Sequence, residues 1–307
     1  MFGIDVGGTT IKCGLFSITG ELLDKWEVKT DTTQKGVNIL SDIAVAVRSK
    51  CDEKSISLQE VMGLGLGVPG PVNQDGFVKV AVNLGWENKN VKTELESLLG
   101  IRVEAANDAN VAALGELWLG AASGATDAIM LTLGTGVGGG VIVNGRVVAG
   151  VNGAGGEIGH LTIVTEDGHL CNCGKKGCLE TVASATGIVR ETLKYLAATD
   201  ETSTLRELSS VEAKDIFDAA KNDDAVAVKM VDQLGRYIGL ATANLAATTD
   251  PEKIIVGGGV SKAGAILLDA IVKHYQAFAF EPLKHTDFVL AELGNDAGIV
   301  GAAYLVK

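Results

Sequence analysis

The fold is decided by residues 127–160, which read DAIMLTLGTGVGGGVIVNGRVVAGVNGAGGEIGH. Residues 128–133 are apolar and favour a strand, and the glycines of 134–140 turn the chain. Residues 141–143 predict a return strand that ends at Asn144-Gly145, a strong hairpin signal. A turn this rich in glycine exposes backbone N–H groups that a phosphate can approach. The same pattern also suits a hairpin without a ligand.

The beginning of the chain repeats this pattern. Residues 2–6 predict a strand, Gly7-Gly8-Thr9-Thr10 a turn, and residues 11–16 a return strand. Because a strand follows the glycines, the pattern excludes the dinucleotide-binding fingerprint and the P-loop, which both need a helix there. Two such copies, far apart in the sequence, predict two related lobes that each offer a phosphate loop to one cleft.

Composition restricts the class of protein. The 307 residues are 47% hydrophobic but only 5% aromatic, with 40 glycines and 4 prolines, which is typical of an α/β protein with many tight turns. The net charge of −12 argues against nucleic acid or an anionic membrane as a partner. With no secretory signal and no apolar stretch of about 18 residues, we expect a soluble, cytoplasmic protein. Cys13 and Cys51 stand alone and are expected to be packing residues.

Strands and helices alternate along the rest of the chain. The predicted strands are 22–28, 61–68, 101–106, 254–256 and 288–291. The predicted helices are 36–50, about 90–99, 109–119, 186–198, 213–221, 224–247, one from about 263, and 297–305. Asn83 to Trp86 are assigned to a loop. Gly235 and Gly239 predict that the helix at 224–247 packs closely against a neighbour.

Cys171, Cys173 and Cys178 lie within one glycine-rich segment. This spacing predicts a structural zinc knuckle, which needs one more ligand to become tetrahedral. His160 and His169 both compete for that place. His169 is nearer in sequence, but Cys171 is so close that the His169 ring has little room to reach the same ion.

Three acidic residues are candidates for contact with a substrate. Asp108 lies between a predicted strand and a predicted helix, where it suits an N-cap and also a general base for an attacking hydroxyl. Glu157 and Glu180 flank the cysteine segment. A carboxylate can accept hydrogen bonds from two adjacent hydroxyls of a polyol, although both residues also read as ordinary exposed loop acids.

Several of these motifs resemble those of known families. Residues 5–12, DVGGTTIK, resemble the first phosphate motif of the superfamily of sugar kinases, actin and heat-shock chaperones. Residues 131–140, with GGEIGH at 155–160 and CNCGKKGCLE at 171–180, resemble the signature of the ROK family (repressors, open reading frames, kinases). The resemblance covers essentially the whole chain. Within the family, the pattern is similar to that of bacterial kinases that act on glucose.

This resemblance implies a role for each motif. The sugar would bind to Asn107, Asp108, Glu157, His160 and Glu180, with Asp108 as the general base. ATP would contact three turns, which contain Asp5, Gly7, Gly8, Thr9, Thr10 and Lys12, then Gly134, Thr135 and Gly136, then Gly257, Gly258 and Gly259. Zinc would be held by His160, Cys171, Cys173 and Cys178, leaving the other ring nitrogen of His160 for the sugar. Lys12 also suits a solvated strand residue, and residues 257–259 also suit a plain strand-to-helix turn.

The resemblance also implies an α/β fold of the two-lobed, ribonuclease-H-like type found in actin-like ATPases, with a cleft between the lobes. We expect a small lobe of residues 1–110 with the closing helix 296–307, and a large lobe of residues 111–295. The implied reaction is phosphorylation of the 6-hydroxyl of glucose by ATP, with Mg²⁺ at the phosphates and a structural Zn²⁺. The implied assembly is a homodimer or homotetramer.

Two alternatives stay open. The sugar could be another hexose, such as N-acetylmannosamine or fructose, and polyphosphate could replace ATP as the donor. The family also contains sugar-sensing regulators without catalysis. Those carry a basic helix-turn-helix before the first strand, whereas here the strand begins at Phe2, and Asp108 also favours a kinase.

Overall fold

A computed structural model describes all residues, 1–307, of the chain. Its twelve strands are β1 Phe2–Val6, β2 Thr10–Phe16, β3 Leu22–Lys29, β4 Leu64–Val68, β5 Phe77–Ala81, β6 Trp86–Asn90, β7 Val103–Asn107, β8 Ala128–Leu133, β9 Val137–Val143, β10 Arg146–Val147, β11 Lys253–Gly257 and β12 Asp287–Leu290. Its nine α-helices are α1 Ile39–Lys54, α2 Val91–Leu99, α3 Asp108–Leu119, α4 Glu180–Ala183, α5 Ala185–Ala198, α6 Ala213–Lys221, α7 Ala225–Thr249, α8 Ala265–Phe278 and α9 Ala297–Tyr304. None of these helices has the length and apolar character that a membrane span requires.

The two five-stranded sheets have equivalent strand orders. One is β3-β2-β1-β4-β7 and the other is β10-β9-β8-β11-β12. In the first sheet β1 is antiparallel to β2 and parallel to β4. In the second sheet β11 is parallel to both β8 and β12. The repeat that the sequence predicted is therefore confirmed. The two glycine turns, residues 7–10 (the first turn) and residues 134–137 (the second turn), follow the central strand of each sheet.

The chain divides into two compact units. The first consists of residues 1–124, 140–156 and 292–307, and the second of residues 125–139 and 157–291. The first unit thus extends beyond the expected boundary at residue 110. The reason is that α3 packs against α9 over most of its length. A methyl group on Gly301 of α9 would overlap the carbonyl oxygen of Val111 in α3, so the two helices are in backbone contact.

Each unit has its own apolar core. In the first unit, buried side chains of β1, β2 and β4 pack against α1 and α2. In the second unit, Gly235 and Gly239 of α7 let its backbone approach that of α8, since a Cβ on either would lie within 2.7 Å of the α8 main chain. The close helix packing predicted for α7 is confirmed.

One region of the first unit differs from the sequence prediction. The predicted loop at residues 83–86 is found for residues 83–85, but Trp86 is the first residue of β6, which forms an antiparallel hairpin with β5. The indole Nε1 of Trp86 donates to the carbonyl of Gly36 at 2.9 Å, in a buried position. Helix α1 also begins at Ile39 and not at Gly36, because Gly36 itself has a positive φ of 61°, as do Gln34 and Lys35 before it.

Candidate active site

The first turn is held from one side by Thr30. The Thr30 hydroxyl donates to the carbonyl of Gly7 at 2.7 Å, and the Thr30 N–H donates to the carbonyl of Thr9 at 3.0 Å. The N–H of Gly7 closes the turn by donating to the carbonyl of Thr10 at 3.1 Å. Gly8 and Thr9 are exposed, so the tip of the turn is open to a ligand. Sequence reasoning missed Thr30, because nothing in its local pattern connects it with the turn.

Asp5 and Lys12 lie beside this turn, opposite each other in the β1–β2 register. The Asp5 carboxylate sits against Gly298 in the first turn of α9, where a Cβ would lie 2.6 Å from its Oδ2. Burial raises the pKa of Asp5 to about 6, with Lys12 opposing the shift and the Asp108 carboxylate adding to it. The Nζ of Lys12 donates to the carbonyl of Asn295 at 3.2 Å. Asp5 thus carries a negative charge that its own neighbours do not fully balance.

Asn107 is the N-cap of α3, and this leaves Asp108 free for another role. The Oδ1 of Asn107 accepts from the N–H of Ala109 at 2.9 Å and of Asn110 at 3.2 Å. Its Nδ2 donates to the carbonyl of Gly70 at 3.1 Å. The residue is only 8% exposed, so the fold uses most of its hydrogen-bonding capacity, and only the second Nδ2 hydrogen remains for a sugar.

Asp108 is the first residue of α3 and is exposed. Its Oδ1 accepts from the N–H of Ala109 at 2.8 Å, a donor that Asn107 already serves. The surrounding protein displaces bulk water at longer range, and this desolvation raises the pKa of the Asp108 carboxyl. An exposed carboxylate with a raised pKa can accept a proton from a bound hydroxyl.

The second turn lines a cavity of about 970 Å³ within the second unit. Gly134 and Thr135 form part of its wall, together with Gly259, which follows β11. Of the third predicted turn, Gly257 is buried at the end of β11 and Gly258 adopts a positive φ of 85°. The structure therefore brings residues of two predicted nucleotide-binding turns to one cavity.

Sequence reasoning missed the remaining walls of this cavity. They come from α5, from α6 and from the turn after β11, and include Val189, Lys214, Phe217, Val260 and Lys262. Helix α6 was predicted at its observed bounds, and its apolar face indicates that it packs against another element. No local pattern shows that this face lies near the second turn.

Glu157, His160 and Glu180 lie close to the cysteine segment in the second unit. Glu157 immediately precedes a short 3₁₀ turn, Ile158–His160, and its carbonyl accepts from the N–H of His160 at 3.1 Å. Glu180 begins α4 and is half-buried. Its Oε1 lies 3.8 Å from the Sγ of Cys171, so this acid is next to the cysteine cluster in space as well as in sequence.

The predicted zinc ligands converge. One donor atom each from His160, Cys171, Cys173 and Cys178 lies within 4.8 Å of all the others. The Nδ1 of His160 is 3.7 Å from the Sγ of Cys171, and the Sγ atoms of Cys173 and Cys178 are 3.6 Å apart. Zn–S and Zn–N bonds of about 2.3 and 2.0 Å give tetrahedral edges of roughly 3.5–3.8 Å. The donor set and its spacing therefore fit Zn²⁺.

Burial opposes ionisation of two of the cysteines in this cluster. Burial raises the pKa of Cys171, and it raises that of Cys178 to about 12. A backbone hydrogen bond at Lys175 lowers the pKa of the exposed Cys173. Because two of the thiols resist ionisation, a divalent cation is needed to hold the set as thiolates, and metal binding must release protons.

The structure separates the two competing histidines. His169 is outside the cluster, and its Nε2 lies 2.6 Å from Oε1 of Glu191 on α5. His160 approaches the cysteines through Nδ1, so its Nε2 is the nitrogen that can face a substrate. Cys13 and Cys51 are buried, as expected of packing residues, and burial raises the pKa of Cys13 to about 12.

Comparison with known proteins identifies the family. The sequence matches the ROK family over residues 1–307. The glucokinase of Halalkalibacterium halodurans is 46% identical over 310 residues, which cover 99% of this chain and 94% of that protein.

Solved structures give the same result. A ROK family glucokinase from Streptomyces griseus, in complex with glucose and AMPPNP, has a TM-score of 0.74 and 37% identity, covering 99% of this chain and 98% of that chain. ROK hexokinase from Thermus thermophilus has a TM-score of 0.80 and 33% identity, again covering 99% and 98%. The predicted fold class, the α/β fold of the two-lobed actin-like sugar kinases, is confirmed. The chain belongs to the ROK family.

Proposed function

We propose that this protein phosphorylates the 6-hydroxyl of glucose with ATP as the donor. The observation that carries the proposal is the 46% identity, over 99% of the chain, to the glucokinase of H. halodurans. The likeness to a structure that holds glucose and AMPPNP supports both substrates. The exposed Asp108 carboxylate, with its raised pKa, supplies the group that the reaction needs.

Asp108 acts as the general base. As the 6-hydroxyl oxygen bonds to the γ-phosphorus, its proton passes to the Asp108 carboxylate, and the bond from the γ-phosphorus to the β–γ bridging oxygen breaks. ADP leaves with the electron pair of that bond. Because Asn107 caps α3, the backbone under Asp108 is fixed while its second carboxylate oxygen faces the substrate.

Asn107, Glu157, His160 and Glu180 bind the sugar hydroxyls. The remaining Nδ2 hydrogen of Asn107 and the Nε2 of His160 are donors, and the two carboxylates are acceptors. A mixed set of this kind pairs with hydroxyl groups, which both donate and accept. The arrangement favours an uncharged polyol over a charged metabolite.

Two turns and Lys12 bind the phosphates. The exposed tip of the first turn, Gly8 and Thr9, offers backbone N–H groups, and Lys12 adds a positive charge. Gly134, Thr135 and Gly136 do the same from the second turn, and residues 257–259 border the adenosine. Asp5 would hold Mg²⁺, which adds positive charge at the phosphates. The incompletely balanced charge of Asp5 fits such a cation.

His160, Cys171, Cys173 and Cys178 would hold a structural Zn²⁺. A bound ion would close the segment between Glu157 and Glu180 and so hold both acids on a rigid loop. With Nδ1 committed to the ion, His160 would carry a proton on Nε2 and would donate it in a hydrogen bond to a sugar oxygen. This assignment rests on the distances between the four donor atoms.

The lining of the cavity bears on the choice between ATP and polyphosphate as the donor. The cavity beside the second turn combines apolar side chains, such as Val189, Phe217 and Val260, with the lysines Lys214 and Lys262. The apolar part suits the base of a nucleotide, which polyphosphate lacks. We propose that the protein acts in the cytoplasm, where its free cysteines stay reduced. By resemblance to the family, we propose a homodimer or homotetramer.

A coupled ADP-release assay across a panel of sugars tests the proposal. With ATP and Mg²⁺, we expect kcat/KM for glucose to exceed that for fructose and N-acetylmannosamine by at least about tenfold. The control is the reaction without sugar, which must release little ADP. Faster turnover of N-acetylmannosamine would favour a hexosamine kinase, and no turnover with any sugar would favour a sugar-sensing regulator.

A further inference from the structure

The Glu180 carboxylate contacts the second turn directly. Its Oε2 accepts a hydrogen bond from the N–H of Val137 at 3.1 Å, and its Oε1 faces the Sγ of Cys171. Under the proposed function, this same carboxylate binds the sugar. One side chain, to which the proposed function assigns a sugar contact, therefore also touches the second turn.

The residues that follow Glu180 hold the same turn. The N–H of Ala185 donates to the carbonyl of Gly134 at 2.8 Å, and the Thr186 hydroxyl donates to the carbonyl of Thr135 at 3.0 Å. We call residues 180–186 the anchor segment. With the contact between Glu180 and Val137, three hydrogen bonds join the anchor segment to the turn, from both ends of the segment.

Gly136 shows how tightly Glu180 fits. A Cβ at position 136 would overlap the Oε2 of Glu180, whereas a Cβ at Gly134 would meet no atom within 4 Å. Neither glycine has a positive φ, so an alanine is compatible with the backbone at both. A side chain at position 136 would therefore force the Glu180 carboxylate to move, whereas a side chain at position 134 would enter open space.

We propose that Glu180 is a positioning residue for the second turn, so that sugar binding and nucleotide binding are coupled through its carboxylate. This inference rests on the proposed function. A sugar that binds Glu180 fixes the carboxylate, and thereby fixes the Val137 N–H and the turn. The nucleotide then binds to a turn that is already ordered, which lowers the entropic cost of binding. The effect must be reciprocal, because the coupling free energy is shared by both ligands.

Gly136→Ala and Gly134→Ala form a matched pair that tests the inference. Glucose affinity is measured by titration calorimetry with no nucleotide present. We expect Gly136→Ala to weaken glucose binding about tenfold, because the new methyl group displaces Glu180. Gly134→Ala should change it less than about twofold, although its methyl group enters the space for phosphate. Circular dichroism of both variants checks that they are folded.

The wild-type protein provides a second measurement that needs no variant. Glucose affinity is measured with and without a saturating non-hydrolysable ATP analogue, and the converse titration is also made. We expect each ligand to tighten the other by the same factor, about fivefold or more. A factor of one, or a folded Gly136→Ala that binds glucose as the wild type does, would overturn the inference. Absence of any glucose binding to the wild type would instead overturn the proposed function.

Discussion

The first and second turns occupy equivalent positions in sheets of the same strand order, yet they are built for different tasks. The first turn lies beside the charged pair Asp5 and Lys12 and is supported by one threonine, Thr30. The second turn borders a cavity of about 970 Å³, which is lined by apolar side chains and by lysines such as Lys214 and Lys262. A repeated backbone framework thus presents one adjacent pair of charges in the first copy and a wide cavity of mixed polarity in the second.

This difference predicts different sensitivities. Around the first turn, removal of a charge should change activity and stability while the fold is kept. Around the second turn, the fit between the anchor segment and the glycines should matter most, together with the cysteine cluster that precedes that segment. The following variants separate the two cases, in order of decreasing effect.

The largest effect is expected from Asp108→Asn in the first unit. The amide keeps the shape and the contact with the Ala109 N–H, but it cannot take the proton, so kcat should fall roughly 10²–10⁴-fold. Glucose affinity, measured by calorimetry, should stay within about threefold of wild type because hydrogen bonding is kept. Turnover within threefold of wild type would mean that Asp108 only supports the start of α3.

Cys173→Ser tests whether the cysteine cluster of the second unit holds Glu157 and Glu180 in place. We expect one zinc per chain in the wild type after adventitious metal is removed, and almost none in the variant, since a ligand thiolate is lost. Sugar affinity should fall about 10–100-fold, because Glu157 and Glu180 lose their rigid connection. Cys13→Ser is the matched control and should retain zinc. A wild type that is free of zinc and fully active would contradict the role of the cluster.

A smaller effect should distinguish the two histidines. His160→Gln should lower zinc occupancy and raise the KM for glucose together, by about tenfold. His169→Gln removes only the contact with Glu191 and should leave both quantities nearly unchanged. Loss of zinc from His169→Gln, with retention in His160→Gln, would move the fourth ligand to His169.

The smallest effect is a gain in stability from Asp5→Asn. Burial raises the pKa of Asp5 from 3.8 to about 6, so the folded state holds the proton more tightly than the unfolded state. Stability is therefore highest below about pH 4 for this group and is lost as the pH rises through 6. The shift corresponds to about 3 kcal/mol, or about 2 kcal/mol after allowance for partial exposure.

At pH 7.5 the Asp5→Asn variant should thus unfold at a Tm about 4 °C higher than wild type while losing activity. The gain should disappear as the pH approaches 4. Calorimetric scans at several pH values check both statements. A lower Tm at pH 7.5 would show that Lys12 stabilises the Asp5 charge more than burial destabilises it.

Most of the fold could be predicted from the sequence, because the pattern of apolar residues sets strands and helices locally. The repeat of residues 2–16 in 128–143 gave both glycine turns and the equivalence of the sheets. The loop predicted for residues 83–86 was wrong only at Trp86, since the strand β6 depends on pairing with β5 and on burial of the Trp86 indole. Such contacts between distant residues leave no local signal.

The candidate site shows the same limit. The cysteine spacing predicted the cluster, but the choice of His160 over His169 needed the positions of Nδ1 and of Glu191. The capping role of Asn107, in place of Asp108, depends on side-chain rotamers that a sequence does not show. Sequence reasoning missed Glu116, although a lone acid in an apolar helix is a clear signal of a buried polar contact. It is fully buried and accepts backbone N–H groups of Ala121, Glu292 and Leu293.

Direct observation of the product tests the central claim, that a hydroxyl of glucose receives the phosphoryl group of ATP. The protein is incubated with equal amounts of glucose, ATP and Mg²⁺, and the mixture is followed by ³¹P nuclear magnetic resonance. We expect ADP and glucose 6-phosphate to appear in equal amounts, and neither to form at the wild-type rate with Asp108→Asn. Formation of ADP with inorganic phosphate, or of a phosphate ester at another hydroxyl, would contradict the account.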